Sequence, residues 1–395
     1  MRVVCITGTN GKTTTTSMVA AVAAAAGLTP ARITTVGSWV GDEPIATEVS
    51  IEAYEATLRR ASERGADAFA IEVTSQALAA GFAPPWPVDV AVFTNLTHDH
   101  LDYHGTMEAY LAAKARLFVG LGPSAAAVLN AADEASALLD EIMAPGVRRL
   151  WYAARPVDPA CAGAELTLRA AALRPHRAGT HVDLAPSPLA DALGGALQTP
   201  LVGAPFAENA LAAACAGRAL GLEPAAIGRG LAAMAPVAGR FEIVIERPLV
   251  IVDYAHTPDA LGHVLRTARG LVAGEGGRVA CVFGCGGGRD AEKRPVMGRV
   301  AADLADLVLV TTDNPRHEDP AAIADAVETG ARGGPAELRR ELDRAAAIGR
   351  ALAWAEPRDA IVIAGKGHER QQELGEGALP FDDGEVARRA HRALP

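Results

Sequence analysis

The stretch RVVCIT, residues 2–7, runs straight into GTNGKTTTT and then into MVAAVAAAA, and this junction limits the chain's folds more than any other. An apolar, unalternating strand followed by a glycine loop and a helix is one half of a parallel sheet covered on both faces. In that arrangement backbone N–H groups and the helix N-terminus cradle phosphates. Gly8, Thr9, Asn10 and Gly11 form the loop, Lys12 would reach the terminal phosphates, Thr13 would offer its hydroxyl to Mg²⁺, and Thr14 continues the cradle. The common pattern has a further glycine five residues before the second, where this chain has Ile6, so the loop is a shorter variant.

The strand–helix alternation continues through ARITTV, ADAFAIEV, VDVAVFTNL and AAAVLN, which predicts an α/β fold for the first 150 residues. Residues 160–204 change to prolines, glycines and short alternating runs such as THVDLA, a small antiparallel excursion ending in a helix near 206–220. A proline–glycine junction, PVAGRFEIV, marks a domain boundary near 238. A second alternating set follows: PLVIVDYA, GRVACVFG, ADLVLVTTD and AIVIAGKG. Two doubly wound α/β domains result, residues 1–238 and 239–395, with ligands expected beyond the carboxyl ends of the strands. Two such domains would close over their substrates.

At 395 residues the chain fits two or three domains, and its net charge of −10 argues against nucleic acid or anionic lipid as a partner. No run approaches the roughly 20 apolar residues of a membrane span. Five scattered cysteines lack disulfide or zinc spacing, and no leader precedes the first strand, which together fit the cytoplasm.

Cations carry a sharper signal. Of 37 Lys and Arg residues only Lys12, Lys114, Lys293 and Lys366 are lysine. A lysine kept among arginines is a candidate for chemistry a guanidinium cannot do. Near them stand Glu72 at the end of AIEV and the run THDHLDYHG, with His98, Asp99, His100, Asp102 and His104. A carboxylate and imidazoles at neighbouring strand ends either ligate a metal or cap loops, and beside a phosphate loop a Mg²⁺ site is expected.

The strings ITGTNGKTTTT, DVAVFTNLTHDHLDYHGTMEAYLAAKARLF, VDYAHTPDAL, VFGCGGGRD with KRP, DNPR and GKGHE resemble the Mur ligase family over nearly the whole chain, and most closely its branch that adds diaminopimelate to UDP-N-acetylmuramoyl dipeptide. The resemblance implies a central P-loop ATPase domain followed by a Rossmann-like domain that brings the incoming amino acid. It implies ATP and two Mg²⁺ ions, with Thr13 on one ion and Glu72, His100 and a carbamylated Lys114 on the other. Arginine could not form that carbamate. Asn209 would meet the adenine, Asp253 the ribose, Arg240 and His256 the nucleotide, with Arg240 catalytic as well. Arg289, Asp313, Asn314, Arg316, Gly365 and Glu369 would contact the amino acid, Arg316 pairing with its side-chain carboxylate. The implied reaction passes the γ-phosphate of ATP to a carboxylate, and the amine then displaces phosphate.

Three departures stand out. The phosphate-loop strand begins at Arg2, leaving no room for the family's amino-terminal uridine-nucleotide domain. The family's Thr-Thr-Pro segment is TEVSI, Thr47 to Ile51, and its Ser-Ser-His after the glutamate is Thr74, Ser75, Gln76. They predict an acceptor other than the complete UDP-muramoyl dipeptide. The alternatives are a ligase whose acceptor-binding domain or carrier is a separate protein, a relative of the folyl- or poly-γ-glutamate ligases, and a nucleotide-binding module without catalysis.

Overall fold

A computed structural model describes residues 1–47, 50–375 and 377–394. The chain divides into two compact units, one of residues 1–97 and 103–235, the other of residues 98–102 and 236 onward. The boundary thus lies at 235/236, and five residues of the THDHLD run go with the second unit, which strand–helix counting could not foresee.

The first unit is built on one eleven-stranded sheet. Its strands are β1 (Arg2–Thr7), β2 (Pro30–Thr34), β3 (Gly37–Val40), β4 (Glu43–Ala46), β5 (Ala68–Glu72), β6 (Val90–Phe93), β7 (Ala126–Asn130), β8 (Arg148–Ala153), β9 (Leu166–His176), β10 (Gly179–Leu184) and β11 (Ala196–Thr199). They lie in the order β11-β10-β9-β8-β7-β6-β1-β5-β2-β3-β4. β1 pairs in parallel with β5 and β6, and all three are buried along most of their length. That burial on both faces is why their sequences are apolar without alternation. The excursion at 160–204 is not a separate sheet. β9 pairs in parallel with β8 and extends the main sheet, with β10 and β11 added antiparallel.

The phosphate-loop helix, Lys12–Ala25, is buried on most sides, and its neighbours include the helices Ala204–Ala219 and Pro224–Ala233. Helix–helix contact is close enough that a Cβ on Gly230 would lie 2.6 Å from the backbone of Val22. Glu48 and Val49 of the TEVSI segment lie outside the described residues.

The second unit holds a six-stranded sheet of β12 (Glu242–Ile245), β13 (Leu249–Asp253), β14 (Val279–Phe283), β15 (Leu307–Val310), β16 (Glu337–Arg340) and β17 (Ala360–Ala364), ordered β12-β13-β17-β14-β15-β16. Only β12 is antiparallel. A hairpin, β18 (Gln371–Leu374) with β19 (Gly377–Pro380), follows β17. The carboxyl ends of β13, β14, β15 and β17 deliver HTPD, GCGGGRD, DNPR and GKGHE to one side of the sheet.

Among the described residues no helix is long and apolar enough to cross a membrane.

Candidate active site

In the first unit the loop after β1 is held by the loop after β6. Thr9 N donates to Asn95 O at 2.8 Å, Asn10 N to Asn95 Oδ1 at 2.9 Å, and Thr97 N to Thr9 Oγ1 at 2.9 Å. Gly11 opens the helix with φ +86°, and a Cβ there would fall 2.4 Å from Asn209 Oδ1, so only glycine allows Asn209 to approach the phosphate loop. Asn209 lies on a helix far along the chain, and it is buried. Lys12 Nζ donates to Thr9 O at 2.7 Å, folded back over its own loop.

Glu72, at the tip of β5, accepts from Thr13 Oγ1 at 2.8 Å and from Thr35 N at 3.0 Å through one carboxylate oxygen. Lys114 sits on the helix Met107–Val119, 1% exposed; its Nζ donates to Gly8 O at 2.8 Å and lies 4.2 Å from the Tyr110 ring centroid. Thr13, Glu72 and Lys114 therefore converge on the phosphate loop, whereas His100 belongs to the second unit. Among the described residues no group of three or more His, Cys, Asp or Glu side chains is placed to hold a metal. A hydroxyl and a carboxylate 2.8 Å apart still fit Mg²⁺, which usually takes one or two carboxylates and completes its octahedron with water and substrate phosphates.

In the second unit the strand ends line a pocket that includes Asp99, His100, His256, Arg289, Asp290, Lys293, Asp313, Asn314, Arg316, Gly365 and Glu369. Asp99 organises one wall. Its carboxylate lies 3.5 Å from His100 Nε2, His256 Nε2 and Lys293 Nζ. Burial alone would push its pKa up; the hydrogen bond and charge of His256, then Lys293 and His100, hold it well below the usual carboxylate range. His100 has φ +56°, and its N–H bonds Asp99 Oδ1 at 3.0 Å. His98 and Asp290 form a further bond at 2.8 Å.

Asp313, Asn314 and Arg316 form the opposite wall. Asp313 is 8% exposed; its Oδ1 accepts Asn314 N at 2.7 Å, while Oδ2 is buried with no hydrogen-bond partner among the described residues. Gly365, at φ +110°, approaches Oδ2 so closely that a Cβ would lie 2.4 Å away. Arg316, at φ +52°, pairs with Glu373 at 2.7 Å and donates to Gly287 O at 2.8 Å. Asn314 Nδ2 donates to Glu369 Oε2 at 2.7 Å.

Asp253 and Arg240 sit together in the same unit. Both Asp253 oxygens accept backbone N–H groups, Phe241 at 2.6 Å and Ala255 at 2.7 Å, while burial raises its pKa against the pull of Arg240. Its carboxylate is thereby an anchor for the residue after Arg240, whose guanidinium lies 4.5 Å from the Tyr254 ring centroid. His256 Nδ1 bonds Tyr254 O at 2.9 Å and turns Nε2 towards Asp99.

Sequence reasoning passed over Asp99 as an organiser, and it passed over Glu318. That glutamate takes Arg294 at 2.9 Å and Gly288 N at 2.5 Å, fixing the GCGGGRD loop. The RD-x-x-KR spacing was the available signal, since it puts two cations on the first turn of the helix Lys293–Leu304.

An ATP-type phosphate loop on one α/β unit, with a charged pocket at the strand ends of another, defines an ATP-dependent ligase architecture. Residues 6–217 match the Mur ligase middle domain and residues 239–367 match the Mur ligase glutamate ligase domain. The chain belongs to the Mur ligase family, ATP-dependent enzymes that form amide bonds and use Mg²⁺. The UDP-N-acetylmuramoyl-L-alanyl-D-glutamate–2,6-diaminopimelate ligase of Synechococcus elongatus is 42% identical over 99% of this chain and 76% of its own length. The enzyme of that name from Bacillus licheniformis is 40% identical over 99% and 78%. A solved structure carrying the same name superposes with a TM-score of 0.66 at 33% identity, covering 100% of this chain and 78% of the other. Mycobacterium tuberculosis folylpolyglutamate synthase, at 22% identity and TM-score 0.68, covers 92% of this chain and 88% of its own and shares the fold.

The expected lack of an amino-terminal domain is not borne out; the comparisons show the family's middle and carboxyl-terminal domains, spanning about three quarters of the relatives' length. The reading as a nucleotide-binding module without catalysis falls with the family assignment.

Proposed function

We propose that this chain joins a diaminopimelate-like amino acid to an acceptor carboxylate through an acyl phosphate. The observation that carries the reading is Asp313 Oδ2, a buried carboxylate oxygen without a partner among the described residues, in a pocket that also presents Arg289 and Arg316. An unpartnered buried acceptor is costly unless a ligand donor reaches it. Ammonium groups suit Asp313 and Glu369, and carboxylates suit the guanidinium forks. A ligand with both kinds of group at both ends matches this lining better than lysine, which has one carboxylate only. The names of the relatives support the same choice.

On the nucleotide side, Lys12 would bind the terminal phosphates and Thr13 with Glu72 would hold Mg²⁺. An ion held there would supply charge neutralisation for phosphoryl transfer. Lys114 is proposed to carry a carbamate and, with Glu72 of the same unit, to hold a second ion. Asn209 would contact adenine, and Asp253, Arg240 and His256 the remainder of the nucleotide. Gln76 in place of the family's histidine, beside a Ser75 hydroxyl bonded to His104 at 2.9 Å, favours an acceptor other than the complete UDP-muramoyl dipeptide. A separate protein supplying the acceptor remains the second reading.

Phosphate release measured with diaminopimelate or lysine, each against UDP-muramoyl dipeptide and simpler γ-carboxyl peptides, tests the assignment. Turnover is expected with diaminopimelate and an acceptor together; turnover with lysine alone among the amines refutes the pocket reading. Full turnover with UDP-muramoyl dipeptide at the expense of every other acceptor refutes the acceptor choice.

A further inference from the structure

Lys366 does not line the pocket, yet it touches two residues that do. Its side chain is 0% exposed, and Nζ donates to Asn314 Oδ1 at 2.8 Å, to Glu369 Oε2 at 3.1 Å and to Gln371 O at 2.6 Å. An ammonium has three donors and no acceptor capacity, so every N–H is used inside the protein. The three acceptors come from three segments: the DNPR loop, the turn after β17 and the start of β18.

Resting on the amino-acid pocket proposed above, we propose that Lys366 is a positioning residue that sets how the pocket meets the incoming amino acid. Asn314 Oδ1 is taken by Lys366 and by Glu373 N at 3.0 Å, which obliges the amide to turn Nδ2 towards Glu369. Glu369 Oε2 is then occupied by two donors, Asn314 Nδ2 and Lys366 Nζ, and Oε1 is the oxygen left for a ligand ammonium. Without the lysine, the amide could rotate, both carboxylate oxygens would compete for its N–H groups, and β18 would lose one of its ties to the DNPR loop, those made by Glu373 to Asn314 and Arg316 staying in place. A guanidinium is a planar fork of five donors and cannot place three N–H groups on three acceptors around one nitrogen. That geometry explains a lysine at 366 in a chain that elsewhere uses arginine almost throughout.

The test uses the full chain with Lys366→Met and Lys366→Arg. Calorimetry gives the Kd of meso-diaminopimelate in the presence of a non-hydrolysable ATP analogue, and fluorescence gives the Kd of a labelled ADP. Both substitutions are expected to weaken diaminopimelate by about 30-fold, the range for charge-assisted bonds, while ADP binding stays within about twofold. Unchanged diaminopimelate binding in Lys366→Met, or wild-type binding in Lys366→Arg, overturns the positioning role. Arg289→Ala separates this from the pocket reading: if it weakens diaminopimelate while Lys366→Met does not, the pocket stands and the role of Lys366 falls. If wild-type protein does not bind diaminopimelate, or Arg289→Ala changes nothing, the pocket reading fails and the inference with it. Should Lys366→Met not fold, Lys366→Met with Glu369→Gln is compared with Glu369→Gln alone. A further loss of affinity supports the role, and equal affinity overturns it.

Discussion

Arg344 is a fully buried guanidinium, and replacing it with methionine should loosen the whole amino-acid side of the molecule. Its Nε and Nη2 grip Asp383 at 2.7 and 2.8 Å, and both side chains are 0% exposed. Nη2 also donates to Ala364 O at 2.9 Å and Nη1 to Thr312 O at 3.4 Å. Those carbonyls immediately precede Gly365 and Asp313, so one cation ties together the ends of β17 and β15 that carry the pocket. Removing one partner of a buried ion pair costs about 3–5 kcal/mol because the other charge is left uncompensated. At about 1.4 kcal/mol per factor of ten, amide exchange by opening of β15 and β17 should accelerate roughly 100- to 4,000-fold. Hydrogen–deuterium exchange by mass spectrometry reads this segment by segment, with β1 of the first unit as the internal control. Arg344→Met with Asp383→Leu should recover most of the loss, since paired charges replaced by apolar groups are often neutral. Unchanged exchange in β15 and β17 in the single variant, or a double variant whose loss equals the sum of the singles, would refute this reasoning.

Other predictions concern pH and packing. Asp133, its pKa raised from 3.8 to about 6 by burial against the bonds it accepts from Leu96 and Ala135, holds its proton more tightly folded than unfolded. Stability of the first unit should therefore fall by on the order of 2 kcal/mol as pH rises from about 4 to 6, and Asp133→Asn should flatten that slope in urea titrations. His368 has the opposite sign: burial, then Arg240, Arg370 and Lys366, lower it from 6.5 to about 4, so it is neutral when folded. Its contribution is fully present above pH 6.5 and is lost as pH falls towards 4, and His368→Gln should remove that acid sensitivity in the second unit. Gly365→Ala places a methyl 2.4 Å from Asp313 Oδ2 at a positive φ, so amino-acid KM should rise at least tenfold with ATP KM unchanged; equal KM values would contradict the close approach.

The phosphate loop was legible because its geometry is local: β1, the glycines and the helix from Lys12 follow one another in sequence, and each obeys its own propensity. DNPR, GKGHE and GCGGGRD were legible as strand-end loops for the same reason. The extension of the first sheet through β8–β9 pairing was not, since a parallel pairing depends on how far β9 travels after a turn. Residues 98–102 read as part of the first domain by chain order, yet Asp99 is captured by His256 and Lys293, partners more than 150 residues away. Asp253 illustrates a different limit. A carboxylate at a strand end reads as a ribose contact, and only the fold reveals that its oxygens also anchor the backbone at Phe241 and Ala255. Arg344 and Lys366 could be seen as residues but not as buried, because burial of a cation depends on acceptors from several distant segments.

The acyl phosphate is the claim on which the functional reading turns. An acceptor carboxylate labelled with ¹⁸O, turned over with ATP, Mg²⁺ and diaminopimelate, should deliver one ¹⁸O atom to the released inorganic phosphate for each amide formed. Phosphate without label, or release of AMP and pyrophosphate in place of ADP, would contradict it.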